Sequence, residues 1–113
     1  MSAEFDDPSL SEEVERRAEP RGLLHGMTAE LPRADTVEVL EASRKGLFVA
    51  LDEPERFLLG EVLELTVRSE PEQFACRVEV VRKEIHPRCG VALRVVYMSP
   101  IAEETLKRIL DRA

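Results

Sequence analysis

Aromatic residues are scarce in this chain: four Phe, one Tyr and no Trp among 113 residues. The core is therefore expected to be aliphatic, and the aromatic platforms on which single-stranded nucleic acids stack are in short supply. Cysteine is nearly as sparse. Cys76 and Cys89 are too few for a disulfide framework, and in a reducing compartment they stay thiols. Positive charge is also in deficit, with a formal net charge of -7, so the clustered basic face that grips the phosphates of a nucleic acid polymer is not expected. Long apolar runs are missing as well. No stretch approaches the ~18 residues of a membrane span, and the N-terminus is acidic where a secretory signal would be basic and then apolar. Membrane insertion is not expected, and the default location is the cytoplasm.

The charge imbalance is local. Residues 1–15 hold Glu4, Asp6, Asp7, Glu12, Glu13 and Glu15 with no Lys or Arg. Of the 23 acidic residues, those six set aside leave 17 against 16 basic ones, so the rest of the chain is nearly neutral. Residues 1–14 read as an acidic, flexible tail with a short helix possible over Ser11 to Arg17, followed by one domain over residues 15–113. The length suits a single core and is too short for two ordinary domains.

From Gly22 the apolar residues repeat every second position. Leu23, Met27, Ala29 and Leu31 mark a first strand ended by Pro32. Val37 and Val39 mark a second over Thr36 to Leu40, and Gly46 to Leu51 a third, with Glu41 to Lys45 as a polar turn between them. Leu63, Leu65 and Val67 define a strand over Glu61 to Val67. Phe74, Cys76, Val78 and Val80 define another over Phe74 to Lys83. Past Gly90, the residues Val91, Leu93, Val95 and Tyr97 repeat in the same way. Six short strands with one buried face predict an all-β sandwich or barrel, because closure removes exposed edges. The C-terminal segment is helical: Ser99 caps, Pro100 suits the first turn, and Leu106, Ile109 and Leu110 share a face. Glu103 and Glu104 near its start and Lys107, Arg108 and Arg112 near its end complement the helix dipole.

Two short features bear on chemistry. Arg16, Arg17 and Arg21 place three guanidiniums within six residues on the approach to the first strand. A guanidinium is permanently charged and planar, and it pairs with phosphate or with the guanine O6 and N7 edge. In Glu41-Ala42-Ser43-Arg44-Lys45-Gly46, Ser43 offers a hydroxyl, Gly46 allows close backbone approach, and Glu41 can accept from a guanine N1 or N2 donor. Each has a plainer reading taken alone: a salt-bridged basic segment and an ordinary turn. His86 and Cys89 supply only two metal ligands where a structural zinc site needs four. Cys76 has the parity of a buried, inert thiol, and His25 that of a packed histidine. No assembled nucleophile, base and orienting group marks an enzyme.

Together the two features resemble the signatures of the PilZ family of cyclic di-GMP receptors, Arg-x-x-x-Arg followed by Asp or Asn-x-Ser-x-x-Gly. Arg17-Ala18-Glu19-Pro20-Arg21 matches the first, and Glu41 to Gly46 the second with Glu in place of Asp or Asn. Gly90 to Pro100 looks like the family's last strand leading into its terminal helix. The resemblance implies a six-stranded antiparallel PilZ-type β-barrel with a C-terminal α-helix. It implies cyclic di-GMP held by Arg16, Arg17 and Arg21 together with Glu41, Ser43 and Gly46, and a signal passed to a protein partner in motility or another surface behaviour. Neither a cofactor nor a catalytic step belongs to that picture. Glu41 carries one methylene more than the family residue, a change that in a close-packed site costs ~1 to 3 kcal/mol. The alternative expectation is an interaction module that has lost nucleotide binding.

Overall fold

The computed structural model of the chain describes residues 26–112. Leu23 and His25, assigned above to the first strand, lie outside the described residues, as do Arg16, Arg17 and Arg21. Six strands follow one another: β1 (Thr28–Glu30), β2 (Val37–Ala42), β3 (Gly46–Ala50), β4 (Val62–Ser69), β5 (Glu72–Glu84) and β6 (Gly90–Tyr97). A short 3-10 turn over Pro54–Arg56 precedes β4, and α1 (Pro100–Arg112) ends the chain. The strands close into a barrel in the order β1-β2-β3-β6-β5-β4, every pairing antiparallel.

The interior is aliphatic, as the shortage of aromatics requires. Met27, Val39, Val49, Leu65, Val67, Val78, Val80, Val91 and Leu93 are all buried in it, together with Phe57. Cys76 belongs to the same interior, where burial, aided by the Glu64 carboxylate, pushes its thiol up to about 11. A thiol that ionises so late is a packing residue, not a nucleophile. Helix α1 buries Ala102, Leu106 and Ile109, and Ser99 Oγ accepts from the Ala102 N–H at 3.1 Å, the expected N-cap. Arg108 donates to both carboxylate oxygens of Glu72 on β5, at 3.3 and 3.4 Å, and Arg112 donates to the Ser69 carbonyl on β4 at 3.2 Å. Those contacts tie the helix to the β4–β5 hairpin.

Three bulges depart from simple alternation, and each changes which side chains face out. An extra residue in one strand of a pair shifts the pleat, so parity inverts beyond it. On β2 the register steps from Val39↔Val49 to Glu41↔Phe48. Strict alternation from Val37 and Val39 would turn Glu41 inward; with Leu40 as the extra residue, Glu41 joins the outer face and Ala42 packs against the core. The strand thus runs to Ala42, two residues beyond its expected end, and the turn shrinks accordingly. On β6 the register steps from Val78↔Val95 to Arg77↔Tyr97. Val96 is the extra residue, and Tyr97, expected on the inner face, is turned out and 60% exposed. On β5 the step from Val80↔Leu93 to Arg82↔Ala92 makes Val81 the extra residue, and Arg82, which strict alternation from Val78 and Val80 would turn inward, joins the exposed face.

Candidate functional site

The β2–β3 hairpin carries the motif Glu41 to Gly46. Its turn is held by one side chain: Ser43 Oγ accepts from the N–H groups of Lys45 at 3.2 Å and Gly46 at 3.3 Å. The Ser43 N–H donates to the Gly46 carbonyl at 2.9 Å, which completes the closure. A hydroxyl reaching backbone amides two and three residues ahead is the reason serine suits this position. Gly46 is explained by the neighbouring strand, because a Cβ there would lie 2.5 Å from the Leu93 carbonyl oxygen of β6. No side chain fits so close to a backbone oxygen. The Ser43 identity thus follows from the turn itself, and the Gly46 identity from the strand beside it.

Beyond the turn the outer face continues across three strands, where Glu41 pairs with Phe48 and Phe48 with Ala92. Phe48 points away from the interior yet is only 2% exposed. What covers it is Arg88, from the β5–β6 loop, whose guanidinium carbon lies 4.0 Å from the ring centroid. A planar cation over an aromatic face is attracted by the ring quadrupole. Gly90 lets the ring lie flat, since a Cβ there would meet the Val49 carbonyl oxygen at 2.0 Å and Phe48 Cε2 at 3.1 Å. Arg88 Nη1 donates to Glu41 Oε2 at 2.7 Å, and Arg88 Nε lies 3.7 Å from Glu84 Oε1. Glu84 in turn accepts from Arg82 at 2.9 and 3.1 Å. On the same face Arg94, paired with Gly46 across β3 and β6, donates to Glu79.

Of the residues anticipated for the site, Glu41, Ser43 and Gly46 lie on one hairpin, and Arg16, Arg17 and Arg21 lie outside the described residues. Arg88 and Phe48 are neighbours of Glu41 that motif reading missed. Phe48 sits in an apolar run, where it passes for a core residue. Arg88 stands 42 positions beyond Gly46 with no motif around it, and only the pairing of β3 with β6 brings it to Glu41.

The PilZ domain model matches residues 15–112. The chain belongs to the PilZ domain family. The match takes in the hairpin, all six strands and α1, so the closed barrel described above is this chain's PilZ barrel. A crystal structure of an uncharacterized Legionella protein shares the fold, with a TM-score of 0.56 at 19% identity over 78% of this chain and 85% of that one. No curated relative matches. Among the described residues of the PilZ domain, no helix is long and apolar enough to cross a membrane.

Proposed function

We propose that this PilZ domain is a cytoplasmic, non-enzymatic receptor for cyclic di-GMP that passes the nucleotide level to a protein partner, in motility or another surface behaviour. The observation that supports it best is the placement of the second signature. Glu41 and the Ser43 turn stand on one outer barrel face, beside a covered aromatic ring and a fixed guanidinium. A guanidinium stacked on a ring beside a carboxylate acceptor suits a ligand made of purines and phosphodiesters. In this reading Arg16, Arg17 and Arg21 supply the remaining cations, Ser43 and Glu41 approach the guanine from the barrel side, and Gly46 keeps the turn close to the strand behind it. Binding breaks no bond; it repositions the N-terminal segment and thereby a partner surface.

One observation favours the second reading, an interaction module indifferent to the nucleotide: Glu41 is already engaged by Arg88 at 2.7 Å. Calorimetric titration of cyclic di-GMP into the full chain separates the two. The receptor reading expects saturable heat that disappears in the Arg17→Ala, Arg21→Ala double variant. No heat at high micromolar ligand, confirmed by a second method, selects the interaction module.

A further inference from the structure

Position 41 combines three facts. The bulge at Leu40 turns its side chain outward, its carboxylate extends one methylene beyond an aspartate, and that carboxylate ends on Arg88. An aspartate would hold the carboxylate about 1.5 Å closer to the backbone, too far back to keep a 2.7 Å contact with the same guanidinium. Arg88 itself has little freedom, with Phe48 beneath its plane, Glu41 on one edge and Glu84 beside Nε. Its side chain is 29% exposed against 43% for Glu41. The cation is thus the more covered of the two, and the carboxylate the more exposed.

We infer that Arg88 is a positioning residue for nucleotide recognition: it holds the Glu41 carboxylate in place to receive the N1 and N2 donors of guanine. This inference rests on the receptor reading above. Two physical needs are met at once. A long exposed glutamate loses rotamer freedom when a ligand fixes it, and a side chain fixed beforehand avoids that loss at binding. A carboxylate near the phosphodiesters of a dianionic ligand also repels it, and the paired guanidinium cancels that charge while leaving the carboxylate an acceptor. The residue that departs from the family signature and the arginine outside any signature therefore work as one unit.

The test is a preference, not an affinity alone. Cyclic di-GMP and cyclic di-IMP, which lacks the 2-amino donor, are titrated into the full chain and into R88A, R88K, E41Q and R88A/E41Q, each checked for its melting temperature. The wild-type chain is expected to prefer the guanine ligand. R88A lowers that preference about tenfold, equivalent to roughly 1.4 kcal/mol, and R88K does not restore it, because an ammonium lacks the plane that lies on Phe48 and pairs edge-on. E41Q loses the same preference, and adding R88A to it lowers the ratio no further. If R88A weakens both ligands equally, or leaves both unchanged, or binds cyclic di-GMP more tightly, Arg88 does not position Glu41, and the receptor reading stands without it. Additive losses in the double variant overturn it too, and where R88A is too unstable to titrate, R88K against the unmodified chain makes the same comparison, an unchanged preference overturning the inference. If no form of the protein binds either ligand, the receptor reading itself fails and carries this inference with it.

Discussion

Two places in the barrel use the same three residue types for different ends. Arg33 lies over Phe57 at 4.8 Å and donates to Glu61 at 2.7 Å; Arg88 lies over Phe48 at 4.0 Å and donates to Glu41 at 2.7 Å. At the first, the acid is the covered partner, 22% exposed against 45% for the arginine, and its other oxygen takes the Leu58 N–H at 3.0 Å. At the second, the order reverses, with the arginine covered and the acid reachable. An Arg, Phe and Glu group is therefore a clamp by default. What makes one a candidate recognition element is which charge is left toward solvent and what stands beside it. Glu61 closes the loop before β4, whereas Glu41 stands two residues from the Ser43 turn.

The largest expected difference between the two lies in the rings. Phe57 is 1% exposed and part of the interior, so Phe57→Ala is expected to cost about 3–5 kcal/mol. Phe48 is covered mainly by a side chain on the outer face, and Phe48→Ala is expected to fall below that range. Urea unfolding with the slope held constant reads both. An equal loss at position 48 would make that ring a second core and Arg88 its lid, and the contrast drawn above would break.

The acids differ next. The Leu58 amide, then Arg33, hold the Glu61 carboxyl below the usual glutamate range. A carboxyl depressed in the folded chain adds stability at pH above its unfolded value, and that part is lost as pH falls through its folded value. Glu61→Gln should therefore lower the melting temperature at pH 7 and remove part of the acid-limb decline expected of the unmodified chain as pH drops past 4.5. Thermal melts from pH 7 to 3 check this. A melting curve whose pH dependence survives the substitution would mean that the loop closes without that carboxylate.

Much of this was legible beforehand, and the misses share one cause. The period-two patterns located all six strands because a half-buried strand must alternate, and the Ser99 cap with its amphipathic run located α1. The motif gave Ser43 because its hydroxyl solves a local problem of turn closure, and Glu41 and Gly46 because they stand at a fixed spacing from it. Bulges escape such reading: one extra residue at Leu40, Val81 or Val96 looks like any other, yet it sets which way Glu41 and Tyr97 face. Arg88 escaped because its role depends on pairing between strands far apart in sequence, which a local pattern does not contain. Gly46 and Gly90 were visible as glycines, but the carbonyl oxygens that require them, on Leu93 and Val49, belong to other strands.

The smallest effects concern the arginines, and they carry the comparison furthest. Arg33 is in the left-handed region with φ 65, where a Cβ costs energy and glycine does not. Arg33→Gly loses the contacts to Phe57 and Glu61 but relieves the backbone, so it should be less destabilising than Arg33→Ala by up to about 1 kcal/mol. Arg88→Ala has no such compensation, and the ring contact it removes is worth about 0.5–2 kcal/mol, the upper part applying where the cation is desolvated. Its loss should persist in 0.5 M salt, roughly the range where exposed pairs are screened out, because the stack on Phe48 is covered. A loss at position 88 that vanishes with salt would show the guanidinium to be a surface charge, held by Glu41 alone and free to leave it. A loss that persists fixes Arg88 on the ring whatever Glu41 does, and a fixed cation is what a reachable carboxylate needs if it is to present one geometry to a ligand.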